Sequence, residues 1–523
     1  MMKTFDVIVI AMLACAWQSP CGFADEDRNH ESEADRRIVH YEDFGAQGNG
    51  KTDDTAAIAK AHEFANQHGL HVKANDDATY YIGGQNNTVI IQTDTDFGAA
   101  KFIIDDTNVE NRYAHIFEVR SILEPVNLQG ITALKRNQRR IEANLPQNCF
   151  IHVTDSSIKQ FIRRGLNQNS GKSQTEVFAV DKNGYIDANT PIVWDFDQIS
   201  DLSVVPMDTA PLTITGGHFT TIANQAESKY TYYSRGIAIR RSNVVVDGLE
   251  HRIIGEKDHG APYVGFINIG DCAHVKIQNT ILSGHKTYRT IGSAGKPVSM
   301  GSYDIHVNRA LNVTFENCSQ FNDIKDRKYW GIMASNFSKN LRFEHCSLSR
   351  FDAHMGVANA TIRNSTLGHM GINAIGSGTF LVENTTVYGE TFINLRSDYG
   401  STWQGDIIIR DCVFVPAGGR AVHASLIGGR NDGQHDFGYT CYMPERIVID
   451  TLHIDDSRHP KKYEGPTIFA DFNPSVNKTG AEEKYPYIKT REVILKNVTI
   501  ESGYPLLTSK NPTLFKDVRV KTQ

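Results

Sequence analysis

Residues 349 to 400, SRFDAHMGVANATIRNSTLGHMGINAIGSGTFLVENTTVYGETFINLRSDYG, repeat one apolar phrase while the polar residues between its apolar positions change. Those variable positions hold side chains that move protons or bind charge: Arg350, Asp352, His354, His369, Asn373, Asn394, Arg396, Asp398 and Tyr399. The upstream segments GFINIGD, SYDIHVN and YWGIMASN are built alike and add Asn268, Asp304, His306, Tyr329 and Trp330, with Arg309 close by. Beta-elimination at a sugar acid needs three things: a cation on the carboxylate, a base for the adjacent carbon-bound proton, and an acid for the departing oxygen. Arginine meets the first need by paired charge-assisted bonds. Histidine or tyrosine meets the other two, each proton transfer contributing about 10²–10⁴ in rate. The set that fits is His354 as base with Asp352 as its orienting partner, Arg396 on the carboxylate, and His306 or Tyr329 as second proton carrier. Asp304, Asn373, Asn394, Asp398, Arg309, Arg350, Trp330 and Tyr399 are then available to bind sugar, with Lys286 and Arg289 as further cations. Hydrolysis is the competing chemistry, since Asp304, Asp352 and Asp398 can supply two carboxyl groups at either of the separations it requires. The same aspartates could hold calcium, so the cofactor stays open, and a non-catalytic glycan-binding role remains a third alternative.

Bringing residues so distant in sequence onto one surface requires a repeating scaffold. Short apolar stretches framing an Asn, Asp or His recur at Asp247, Asn279, Asn317, His345, Asn364, Asn384, Asp411, Asp450, Asn497 and Asp517. Their spacing runs from 19 residues (His345 to Asn364) to 47 (Asp450 to Asn497), too irregular for a helical repeat. Each unit has alternating β-branched residues, then a turn-forming residue, then another short strand. That pattern predicts an all-β chain coiled as a right-handed parallel β-helix, in which outward side chains one coil apart lie about 5 Å from each other. Around residues 110–200 the repeat gives way to ordinary alternation with Asn-Gly turns, which predicts a β insertion beside the groove. Upstream, Thr52, Asp53 or Asp54 can cap a helix whose apolar face is Ile58, Ala61, Phe64 and Ala65. Such a helix would cover the open first coil.

The entry segment DFGAQGNGKTDDTAAI resembles the start of the pectate-lyase-like superfamily of parallel β-helix proteins, and the ladder extends the likeness over residues 38–523. The resemblance implies a polysaccharide lyase or glycoside hydrolase, with phage tailspikes and epimerases also in the superfamily. It implies no particular residue set, because the aspartate and Gly-His-Gly pattern of polygalacturonases has no counterpart beyond KDHGAP at 257–262.

The chain of 523 residues carries a net charge of −6, which gives no basic field for nucleic acid, though a local cationic groove would suit an anionic polysaccharide. Residues 1–24 read as a signal peptide and 25–37 as a charged tether, so the protein is expected to be secreted or periplasmic. Lipid attachment at Cys15 or Cys21 would instead make it a cell-surface lipoprotein. No later stretch is long and apolar enough for a transmembrane helix, and a monomer is expected. Cys149, Cys272, Cys318, Cys346, Cys412 and Cys441 show no metal spacing and read as buried thiols.

Overall fold

The alternating apolar residues of each repeat form short strands that pair in parallel with the equivalent segment one coil later. In the computed structural model, which describes residues 38–523 apart from 85, 229, 230, 258, 259, 287, 293, 480 and 481, 27 strands join one continuous hydrogen-bonded sheet. The expected leader and tether lie outside the described residues. Ile237–Arg240 pairs with Val264–Gln278, and that strand with Tyr303–Glu316. The succession continues through Met333–Asn336 and Ser347–Arg363 to Thr366–Glu383, Thr391–Leu395, Ser425–Gly428 and Thr467–Phe469. The chain is therefore a right-handed parallel β-helix. Register stacks like on like inside it: Ile237, Ile267, Ile305 and Met333 form one run of neighbours, and Phe351, Ile372, Ile393, Ile427 and Phe469 another. All are buried in one core.

The Asn positions are the corners of the coils. Asn279, Asn317, Asn364 and Asn384 have φ of 50°, 52°, 49° and 44°, the left-handed region that Asn tolerates better than other side-chain-bearing residues. Their amides also bond from coil to coil, Asn279 to Asp247 (2.7 Å), Asn317 to Asn279 (2.6 Å) and Asn384 to Asn364 (2.7 Å). Asn312, Asn340 and Asn359 form a second ladder at another corner (2.8 and 3.1 Å). At Asp247 and Asp450 the left-handed residue is instead the next one, Gly248 or Thr451. All six described cysteines are free and buried.

The entry motif folds into the cap. Asp54 is buried and its carboxylate accepts the backbone N–H groups of Gln47 (2.7 Å) and Gly48 (3.2 Å), tying the Gly-rich loop to the start of helix Thr55–His68. Asp53 accepts the first helical N–H, that of Thr55, at 3.0 Å. Ile58, Ala61 and Ala65 face the core. Phe64 does not: it is exposed against Phe44 and His68, while His62 takes the inner position and hydrogen-bonds Tyr41 Oη at 2.9 Å.

Between Phe117–Arg120 and Leu212–Ile222 the coil is interrupted by an antiparallel sheet of Cys149–Gln160, Lys172–Val180 and Asp201–Pro206. It has its own core, including Ile151, Phe178, Ile192 and Phe196. It docks on the stack through Phe150, Val177 and Met207 against Ala273 and Leu311, and through a buried Lys339–Glu176 ion pair.

Candidate functional site

Two stretches of outward residues share the sheet whose inward neighbours are the core isoleucines. Asn268 pairs in register with His306, and His306 with Ala334; further along, Asp352 pairs with Asn373 and Asn373 with Asn394. The flanking Phe351, Ile372 and Ile393 are core, so alternation turns the polar set outward. Asn394 Nδ2 donates to Asn373 Oδ1 and Asn373 Nδ2 to the Met370 carbonyl, both at 2.8 Å, which fixes both amides as a floor.

Two residues beyond Asp352 on the strand Ser347–Arg363, a charged cluster surrounds His354. Its Nδ1 bonds Asn336 Oδ1 at 2.8 Å, and its ring meets Tyr399 edge-on with centroids 5.2 Å apart. Burial, helped by Arg396, holds the imidazole pKa well below its ordinary value, so it is neutral at neutral pH. Arg396 grips Asp398 through Nε (3.1 Å) and Nη2 (2.9 Å), and lies 3.6 Å from Asp352. Arg163, from the insertion, takes Asp398 from the other side (2.9 and 2.7 Å), and both guanidinium groups lie over the Tyr399 ring at 5.0 and 5.7 Å. Asp352 is fully buried and paired with Arg350 at 2.7 Å. Burial raises the Asp352 pKa against the pull of Arg350 and Arg396. Burial also pushes Asp398 upward, but Arg396 and Arg163 outweigh it and leave that carboxyl well below its usual range.

Beside the Asn373–Asn394 floor lies an open cavity of about 460 Å³ lined by Arg327, Tyr329, Trp330, His369, Met370, Asn373, Glu390, Thr391 and Asn394. Arg327 pairs with Glu390 at 3.2 Å, and His369 Nδ1 is within 3.2 Å of the Ile324 carbonyl. Burial keeps His369 below its ordinary pKa.

The residues singled out from the sequence fall into two groups. His354, Asp352, Arg396, Asp398, Arg350 and Tyr399 come together; Tyr329, Trp330, Asn373 and Asn394 line the neighbouring cavity. Several assigned relationships change. Asn336, not Asp352, orients His354, because Asp352 is held by arginines. Tyr329 lines the cavity with Asn373 and Asn394, whereas the side chains in contact with His354 are Asn336 and Tyr399. His306 shares the outer wall but lies two coils away, 3.4 Å from Asn268, with burial and Arg240 lowering its pKa to about 4. Arg309 is taken up by Asp271 (2.6 Å), and Arg350 is only 2% exposed, so neither offers a free cation to the surface. Tyr399 is likewise buried. Asp304 leaves the groove altogether: it is buried between His251 (2.7 Å) and His285 (2.8 Å), with Glu256 beyond at 3.2 Å from His285. The three aspartates considered for calcium are thus held by histidines or arginines, and among the described residues no group of three or more His, Cys, Asp or Glu is placed to bind a metal. Arg163, Arg164, Asn336, Arg327 and Glu390 were not visible as site residues; Arg163 lies 235 positions from Asp398, and no local signal links them.

A glycine-loop cap tied down by Asp54 closes a parallel coil whose outer wall carries a polar column. The fold is a capped right-handed parallel β-helix. No family model matches the sequence. Of the curated proteins, this β-helix chain is similar to a capsule KL64-specific depolymerase of Klebsiella phage P510, 33% identical over 129 residues, or 22% of this chain and 12% of that protein. The match therefore spans a small part of that relative's length. Among solved structures it is similar to the tailspike protein gp49 of Pseudomonas phage LKA1, at 12% identity and TM-score 0.49 over 92% of this chain and 84% of that one. It is also similar to a hyperthermoactive exopolygalacturonase from Thermotoga maritima, at 12% identity and TM-score 0.38 over 93% of this chain and 92% of that one. Among the described residues no helix is long and apolar enough to cross a membrane.

Proposed function

We propose that this protein degrades an acidic, uronate-containing polysaccharide by β-elimination, acting outside the cell that makes it. The observation that carries the reading is a neutral imidazole set among arginines. Arg163, Arg164, Arg350, Arg396 and Arg430 stand against Asp352, Asp398 and Asp432, five charges to three, on a chain whose net charge is −6. A concentrated positive patch on an acidic protein favours an anionic ligand. In this reading His354, held by Asn336, takes the carbon-bound proton beside the sugar carboxylate. Arg396 and Arg163 stabilise the negative charge that develops there, a role best served by prearranged cations in a partly buried site. Tyr399, buried edge-on against His354, keeps the imidazole in place and so serves as a positioning residue in this reading. The similarity to a capsule depolymerase supports polysaccharide as the substrate class.

A second reading is hydrolysis, favoured by the opposed pKa shifts of Asp352 and Asp398, which share Arg396. Carboxyl groups pushed apart in this way serve as acid and base in glycosidases. The two separate in one assay: incubate the protein with a panel of uronate-containing and neutral polysaccharides, following ultraviolet absorbance of an unsaturated product and the appearance of reducing ends. Both signals rising together support elimination. Reducing ends alone support hydrolysis, and neither signal on any substrate overturns the enzyme reading. N-terminal sequencing of the exported chain tests secretion, the expectation being a start near residue 25.

A further inference from the structure

Where the insertion meets the stack, a pocket of about 290 Å³ opens beside the His354 cluster, and both carboxylates that line it already have arginine partners. It is lined by Arg164 and Gly165 of the insertion, Ser397 and Asp398 of one coil, and Arg430, Asn431, Asp432 and Phe437 of the next. The backbone is fixed on both sides. Ile162 N–H donates to the Phe437 carbonyl (3.2 Å) and Arg164 N–H to the Asp398 carbonyl (3.3 Å). Ser401 Oγ accepts the Arg430 N–H (2.9 Å) and donates to the Arg430 carbonyl (3.1 Å). Each acidic group here is already matched: Asp398 by Arg163 and Arg396, Asp432 by Arg164. Arg430 is exposed, and among the described residues no carboxylate pairs with it.

We infer that this pocket is a subsite for the carboxylate of a second acidic sugar, gripped by Arg430 with the insertion as its far wall. The inference rests on the acidic-glycan reading and names where a neighbouring residue of the same chain would bind. A guanidinium with no internal partner presents a planar fork that matches a carboxylate, and its held backbone lowers the entropy cost of using it. Ser397 and Asn431 offer neutral hydrogen-bonding groups for hydroxyls. The insertion therefore has a use beyond packing: it supplies the wall that makes an open sheet edge into a pocket.

The test is equilibrium binding of galacturonate, glucuronate and mannuronate oligosaccharides, their carboxyl-reduced counterparts and a sulfated neutral oligosaccharide, to the whole protein and to Arg430→Gln and Arg430→Lys. The expectation is that the wild type prefers at least one uronate series over its reduced form. Arg430→Gln should weaken that series about tenfold, the loss of roughly one charge-assisted contact, and erase the preference, with Arg430→Lys intermediate. Equal binding of acidic and reduced sugars by wild type, an Arg430→Gln variant that keeps the preference, or selective binding of only the sulfated sugar would overturn the subsite. Circular dichroism of each variant guards against misfolding. Uronate binding that depends on Arg430 without cleavage of any polymer would overturn the enzyme reading and leave the subsite standing; cleavage unaffected by Arg430 would do the reverse.

Discussion

In the proposed reaction, His354 is the residue on which the chemistry turns at the scale of single residues. Its environment keeps it neutral by burial and by the nearby Arg396 charge, so it can accept a proton without first losing one. Replacing it by alanine should lower polysaccharide cleavage by about 10²–10⁴ while leaving the circular dichroism spectrum unchanged. Full activity in that variant would remove His354 from the mechanism. Replacing Asn336 by alanine should act more mildly, because it frees the imidazole to rotate without removing it. The sequence named His354, Arg396 and Asp398 from residue type and position alone. It paired His354 with the wrong neighbour because Asp352 is close in sequence, whereas Asn336 is brought alongside by the preceding coil. Asp304 was misplaced for a related reason: an aspartate in an alternating strand reads as outward, and only coordinates reveal two histidines ready to bury it.

Corners and the docking of the insertion govern stability at the scale of elements. At Asn317, alanine would have to adopt φ of 52° and would lose the amide bond to Asn279, a combined cost of about 1–2 kcal/mol. Glycine adopts that φ without strain, and loses the bond while adding a smaller entropic cost through the unfolded chain. Chemical denaturation should therefore rank wild type above Asn317→Gly above Asn317→Ala; the reverse order of the two variants would show that backbone conformation is not what Asn supplies. The insertion is tied by Lys339 and Glu176, both buried. Lys339→Met alone leaves a buried carboxylate unpaired and should destabilise by about 3–5 kcal/mol, whereas the double variant Lys339→Met/Glu176→Gln should recover much of that. An additive pair of effects in the same denaturation experiment would mean that the two side chains do not interact. The ladder was readable from sequence because each corner must solve the same backbone problem with the same few residue types. The helix was readable too, except at Phe64, where periodicity cannot tell the core face from a neighbouring apolar contact.

The whole molecule couples its buried histidines to pH. Burial holds His62 at about 3, and His115 and His306 at about 4. Each value is below the unfolded value of about 6.5, so between the two the unfolded chain binds more protons and stability rises with pH. This contribution is present above about pH 6.5 and is lost as pH falls toward 4. His285 runs the other way. Burial alone would lower it, but hydrogen bonds to Asp304 and Glu256 outweigh burial and raise it to about 10. Its contribution is complete below about pH 6.5 and is lost as pH rises through 10. The melting temperature should therefore be highest between these limits, and His285→Gln should flatten the alkaline decline specifically; an unchanged alkaline limb would disprove the role. By itself the sequence determined that this chain is a capped parallel β-helix with polar residues spread along its coils, because stacking imposes local rules that every coil obeys and composition records. Which of those residues meet was decided only by the tertiary structure. The length of each connecting loop sets the register, and the docked insertion brings Arg163 and Arg164 to partners more than two hundred positions away, a closure no local pattern encodes.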